Sequence, residues 1–79
     1  MDIGFIGGGM MATALIGGLE KAGATTSSRV SVSEPYAPLR EKHAKAGRRA
    51  TTSNLQVVRD SDVVFLAVKP DVIPAVLTE

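Results

Sequence analysis

Gly4-Phe5-Ile6-Gly7-Gly8-Gly9-Met10-Met11-Ala12 is the stretch on which the reading of this chain turns. Gly7 to Ala12 satisfies the pattern G-x-G-x-x-G/A, which is weak alone in a chain with eight glycines. Its surroundings give it weight. Upstream, Ile3–Ile6 is a short apolar run that predicts a buried strand ending at the glycines. Downstream, Met11, Leu15, Leu19 and Ala22 recur at helical spacing on one face, with Ala14 and Gly18 beside them. Thr13, Glu20 and Lys21 fall elsewhere, and Gly23 is placed to stop the helix. In a strand-loop-helix unit Gly7 supplies the tight turn, Gly9 lets the backbone approach a ligand closely, and Ala12 keeps the helix near the sheet. The unpaired N–H groups and the positive dipole end of the helix then attract a pyrophosphate. A P-loop is disfavoured, because the G-K-[ST] ending is missing. A glycine turn without a ligand and an S-adenosylmethionine site are the alternatives. Met10 and Met11 read as packing residues.

Working outward, Val30 and Val32 alternate with Ser31 and Ser33, which predicts a second strand ending near Glu34. Pro35 and Pro38 punctuate a loop, and Pro38 suits the first turn of a helix from Leu39 to Ala46 that stops at Gly47. Ala50 to Thr52 fits a short third strand, and Thr52 or Ser53 can cap a short helix holding Leu55 and Val58. Val63-Val64-Phe65-Leu66-Ala67-Val68 is a continuous apolar run, as expected of a strand buried on both faces of a parallel sheet. Lys69-Pro70 ends it, and Asp71 can cap a last helix through Ile73, Val76 and Leu77, with Pro74 in its first turn.

The resulting order, β-α-β-α-(β)-α-β-α, predicts an α/β fold: a partial Rossmann domain with a parallel sheet of about four strands in order 3-2-1-4 and helices on both faces. The ligand crevice is expected beyond the carboxyl end of the first strand, where the strand order reverses. The fourth strand lacks a neighbour for its outer edge, which native folds cover, so the chain reads as cut short.

Composition narrows the chemistry. The length of 79 residues allows one domain or part of one, and 44% apolar content is that of a soluble globular protein. A net charge of +1 gives no reason to expect nucleic acid or an anionic membrane as partner. There is no cysteine, which excludes disulfides, thiolate catalysis and cysteine-based metal sites, and one histidine makes a zinc site hard to assemble. No signal peptide is visible, and no run approaches the roughly 20 residues that span a bilayer. A cytoplasmic protein is expected.

Two further positions bear on the ligand. Glu34 stands where an acidic residue normally accepts hydrogen bonds from the adenosine ribose, an arrangement that favours NADH over its 2′-phosphorylated form. A solvent-facing Glu34 is the alternative, with Arg40, Arg48 and Arg49 available as a phosphate clamp. Lys69, at the carboxyl end of the fourth strand, is either a solvated loop lysine or part of a turn against the ribose or nicotinamide side of the cofactor. His43 lies mid-helix between Lys42 and Ala44 and is expected to be exposed, without a catalytic role.

The glycine stretch, together with Ser61-Asp62-Val63-Val64-Phe65-Leu66-Ala67-Val68-Lys69-Pro70, resembles the N-terminal domain of pyrroline-5-carboxylate reductase over essentially the whole chain. The ending Ala-Val-Lys-Pro is the more specific half; related β-hydroxyacid, prephenate and coenzyme F420-dependent reductases share the glycine loop. The resemblance implies an oxidoreductase of proline biosynthesis that reduces 1-pyrroline-5-carboxylate to L-proline with NADPH or NADH. It implies that Ile6, Gly7, Gly8, Gly9, Met10 and Met11 wrap the pyrophosphate; Ser33 and Glu34, at the end of the second strand, are expected at the adenosine ribose from the general pattern of such folds. It further implies that Asn54 contacts the cofactor, and that Ala67, Val68, Lys69 and Pro70 border its ribose and nicotinamide. Two positions depart from the family's habits: Met10 replaces a polar residue, and Glu34 stands where several NADPH-using members carry a small hydroxyl residue. By resemblance, residues 1–79 are the front of a dinucleotide-binding domain. The remaining strands and a helical C-terminal domain, which forms the homo-oligomer and holds the substrate, are missing, so the piece alone is inactive. A stand-alone dinucleotide-binding module without catalysis is the reading from another class.

Overall fold

The computed structural model describes residues 1–67, and these form a parallel sheet covered by three helices. The strands are β1 (Ile3–Ile6), β2 (Val30–Ser33), β3 (Arg49–Thr51) and β4 (Val63–Leu66), and the helices are α1 (Met10–Lys21), α2 (Ala37–Lys45) and α3 (Asn54–Asp60). The sheet order is β3-β2-β1-β4 with every pair parallel, as the alternation of strands and helices requires. A 3₁₀ turn, Ser27–Arg29, leads into β2.

Strand alternation sorts the side chains. Ile3, Phe5, Val30 and Val32 point to one face and form the core with Ala12 and Ile16 of α1. Phe65 joins them by stacking on Phe5, with ring centroids 5.1 Å apart. On the other face Gly4 lies under α3, so close that a Cβ there would stand 2.6 Å from Val57 Cγ1 and also strike Ser61 Oγ. Helices α1 and α2 thus cover one face and α3 the other.

Both longer helices end in the same device. After α1, Gly23 (φ +78°) donates its N–H to Glu20 and Ala24 donates to Leu19; after α2, Gly47 (φ +91°) donates to Ala44 and Arg48 donates to His43. These are Schellman closures, in which a left-handed glycine turns the chain back over the last helical turn. The second of them carries Arg48 back beside His43.

Three expectations need correction. The buried stripe of α1 is Ala12 and Ile16, with Leu19 partly buried, while Met11 (69% exposed) and Leu15 (44%) face out and Ala22 is exposed. Apolar residues surround most of this helix, so periodicity leaves its rotation open. β4 ends at Leu66 and is half-exposed rather than buried on both faces, with Phe65 at 39%. Among the described residues it pairs only with β1, and the helices sit over the strands on its other side. His43, expected in solvent, is fully buried. Val68, Lys69, Pro70 and the last helix expected from Asp71 lie outside the described residues.

Candidate functional site

The loop between β1 and α1 lies at the carboxyl ends of the strands, where the sheet order reverses. Gly7 adopts φ +100°, a conformation open to glycine and strained for other residues, and its N–H continues the ladder to Ser33 O at 2.8 Å. Gly8 is held at both ends: its N–H donates to Glu34 Oε1 at 2.8 Å, and its carbonyl lies 2.8 Å from His43 Nε2. Behind it there is no room, since an added Cβ would stand 3.0 Å from His43 and from Val32. Gly9 differs, for a Cβ there would meet nothing within 4 Å. Its carbonyl opens α1 by accepting Thr13 N–H, and Thr13 Oγ1 donates to the same oxygen, each at 2.9 Å. No side chain caps α1 and no acidic residue lies in its first turn. The N–H groups of Met10, Met11 and Ala12 therefore lack intrahelical acceptors. The loop is packed on its inner side and open on its outer side.

Around it, Met10 and Met11 are exposed rather than packed. Ser33 is buried and its hydroxyl donates to Asn54 Oδ1, which ties the start of α3 to the end of β2. Ser53 accepts from Gln56 N–H at 3.2 Å and fixes that helix start. Glu34 is buried, not solvent-facing: besides Gly8, its Oε2 accepts Tyr36 N–H at 2.8 Å. Ala67 donates its N–H to Ile6 O at 2.8 Å and so lies against the strand end that leads into the loop. Ile6, Gly7, Gly8, Gly9, Met10, Met11, Ser33, Glu34, Asn54 and Ala67 thus lie at the carboxyl ends of β1, β2 and β4 or are bonded to residues there. A hollow of about 280 Å³ beside Gly9 is lined by Met10, Thr13, Ala14, Leu39 and Lys42.

The three arginines weighed as a phosphate clamp are engaged elsewhere. Arg40 Nη1 donates to the carbonyls of Glu34 (3.0 Å) and Pro35 (3.2 Å) and braces the loop after β2. Arg49 lies 3.5 Å from Asp2, at the opposite end of the sheet. Arg48 binds Glu20 through two nitrogens, Nη2 to Oε1 at 3.0 Å and Nε to Oε2 at 3.2 Å, and donates Nη1 to His43 Nδ1 at 3.0 Å. That guanidinium holds the Glu20 carboxyl below the usual carboxylate range; burial works in the opposite sense, and the Ser27 hydroxyl helps lower it. Sequence reasoning missed this part-buried chain of Glu20, Arg48 and His43, of which His43 is fully enclosed. The one signal for it was Gly47, whose Schellman turn sets the residue after it against the residue four before it.

Residues 2–79 match the family model described as NADP oxidoreductase, coenzyme F420-dependent. The chain belongs to this family. Its glycine loop is accordingly part of a pyridine-nucleotide oxidoreductase domain of the Rossmann class. The chain is 46% identical over 77 residues to pyrroline-5-carboxylate reductase of Methanosarcina acetivorans, covering 96% of this chain and 28% of that protein. It is 44% identical to pyrroline-5-carboxylate reductase 2 of Bos taurus, covering all of this chain and 25% of the relative. The solved structure of a pyrroline-5-carboxylate reductase from Coxiella burnetii superimposes with a TM-score of 0.84 at 37% identity, over 95% of this chain and 28% of that one. The resemblance read from the two quoted motifs is borne out, and the chain spans about a quarter of the length of these relatives. No helix among the described residues is long and apolar enough to cross a membrane.

Proposed function

We propose that this chain is the cofactor-binding portion, residues 1–79, of a pyrroline-5-carboxylate reductase, the enzyme that reduces 1-pyrroline-5-carboxylate to L-proline with NAD(P)H. The observation that carries the proposal is the Gly7–Gly9 loop, clamped on its inner side by Glu34 and His43 and open at the uncapped start of α1. Such a surface suits an anionic pyrophosphate, and it is built from residues that fit one. Ile6 to Met11 would hold the pyrophosphate through backbone N–H groups. Ser33, Glu34 and Asn54 would meet the adenosine ribose. Ala67, with Val68, Lys69 and Pro70, would border the ribose and nicotinamide. When bound, the reduced nicotinamide supplies the hydride; this chain's residues bind and orient it.

NADH is the favoured cofactor in this reading, because a buried carboxylate at Glu34 opposes a 2′-phosphate beside it. Each Glu34 oxygen uses one lone pair on a backbone N–H and keeps another for a ribose hydroxyl. Further strands and a helical oligomer-forming domain would complete the substrate site, in a cytoplasmic enzyme whose partner is a small molecule rather than nucleic acid or membrane. Titration of the chain with NADH and NADPH, followed by nicotinamide fluorescence, tests the proposal, together with an assay for proline formation. Binding of NADH, weaker binding of NADPH and no turnover by this chain alone are expected. Tighter binding of NADPH overturns the cofactor preference, and binding of neither overturns the reading of the site.

A further inference from the structure

His43 stands out as a fully buried imidazole on a helix whose other residues are half-buried or exposed. Its two nitrogens have different partners. Arg48 Nη1, 3.0 Å from Nδ1, is always a donor, so Nδ1 must accept and carries no proton. Nε2 therefore carries the hydrogen and donates it to the Gly8 carbonyl at 2.8 Å. Arg48 is in turn fixed by its two-point contact with Glu20, with the two side chains only 10% and 20% exposed.

The end of this chain of contacts is the peptide between Gly8 and Gly9. No cis peptide occurs among the described residues, and in a planar trans peptide the C=O and the following N–H point in opposite directions. A Gly8 carbonyl drawn inward to His43 turns the Gly9 N–H outward, away from the packed interior. Flanked by two glycines, this peptide has few steric barriers to rotation. Rotated by half a turn, it would present a carbonyl oxygen where the loop now presents an N–H. We infer that His43 is a positioning residue for cofactor binding: through one tautomer, fixed by Arg48, it locks the Gly8–Gly9 peptide with the Gly9 N–H facing the anionic ligand. The inference rests on the dinucleotide reading of the loop.

Three variants separate positioning from packing. In His43→Gln the side-chain amide takes the place of Nε2 and restores the donor to Gly8. His43→Asn keeps an amide near Nδ1 for Arg48 but falls short of Gly8, and His43→Leu fills the space with neither group. The wild-type chain and H43Q are expected to bind NADH within about twofold of each other. H43N and H43L are expected to bind about five- to tenfold more weakly, the range of one hydrogen bond lost from the loop. ¹⁵N NMR of the wild-type imidazole is expected to show the proton on Nε2, and the Gly9 amide signal is expected to move when NADH is added. A proton on Nδ1, an unmoved Gly9 signal in the NADH-bound chain, or equal NADH affinity in wild type, H43N and H43L overturns this inference alone. No NADH binding by the wild-type chain overturns the dinucleotide reading, and the inference with it.

Discussion

Arg48→Met puts the part-buried ion chain that links Glu20 of α1 to His43 of α2 to its severest test. Methionine keeps much of the aliphatic length and removes the guanidinium. Glu20 then loses both bonds from Arg48 and retains only the Ser27 hydroxyl at 2.9 Å, while His43 Nδ1, wholly enclosed, has no donor left. Breaking a fully buried pair destabilises by about 3–5 kcal/mol, and an orphaned buried acceptor by about 1–3 kcal/mol. Glu20 keeps 20% of its side chain in contact with water, which places the pair below the fully buried limit. A loss of about 3 kcal/mol is the result. A chain of this size is stable by roughly 4–12 kcal/mol, so the effect is large. With a urea slope of about 1 kcal/mol/M, the unfolding midpoint followed by far-UV circular dichroism falls by about 3 M. A solvent-screened surface pair would lose at most about 1 kcal/mol. A measured loss below that limit refutes the reasoning. So does strict additivity of Arg48→Met and Glu20→Gln in a double-mutant cycle, because directly bonded partners must couple. The pH dependence has a fixed sign. Glu20 is held below its ordinary pKa, so its contribution is fully present above the usual carboxylate range and is lost as pH falls through its folded value. Glu20→Gln removes that part of the acid slope.

Three other perturbations follow from the loop and the sheet. Gly7→Ala forces a side chain onto φ +100° and is expected to destabilise the chain by about 1–3 kcal/mol and weaken NADH binding, read by thermal melting and fluorescence titration. Gly4→Ala drives a methyl group against Val57 and Ser61 and should lower stability by about 1–3 kcal/mol while leaving NADH affinity within about twofold, since it lies beneath α3. Glu34→Ser removes the carboxylate that opposes a 2′-phosphate but also frees Gly8 N–H. The NADPH-to-NADH affinity ratio is expected to rise while both affinities fall, and an NADPH affinity above that of the wild-type chain would contradict the anchoring role.

What the sequence disclosed follows physical lines. The apolar run before the glycines gave β1 at its observed limits, the Val-Ser alternation gave β2 within one residue, β3 and β4 came within one or two residues, and alternation with helices gave the sheet order. Glu34 and Asn54 were placed at the crevice by resemblance or by distance along β2, but their partners were not visible. Hydrogen bonds such as Gly8 N–H to Glu34 span 26 residues and leave no local pattern. His43 was misread because α2 is polar nearly throughout, with no apolar stripe to mark its inner side. The rotation of α1 was misread for the converse reason, an apolar surface too broad to choose between Leu15 and Ile16. Pattern locates elements, whereas buried polar side chains are fixed by partners that only the assembled fold brings together.

The two side chains that hold Gly8 make cofactor choice and loop geometry a single problem. Glu34 takes its N–H and His43 its carbonyl, so the peptides on both sides of this residue are oriented by groups from different elements. Neither side chain is free to serve the ligand alone. The carboxylate oxygens of Glu34 are already aligned by Gly8 and Tyr36, so in the proposed site their remaining lone pairs would be preset for ribose hydroxyls before a ligand arrives. A smaller residue at this position would make room for a 2′-phosphate, yet it would release the Gly7–Gly8 peptide and leave its orientation to Gly7 alone. A loop that served the phosphorylated cofactor would therefore need another acceptor for Gly8 N–H, supplied from outside position 34. In this chain Arg40 is committed to the Glu34 and Pro35 carbonyls and holds the turn closed around that carboxylate. In the proposed site, selectivity for the unphosphorylated ribose would come from the same contacts that shape the glycine loop, so that changing one without the other would loosen both.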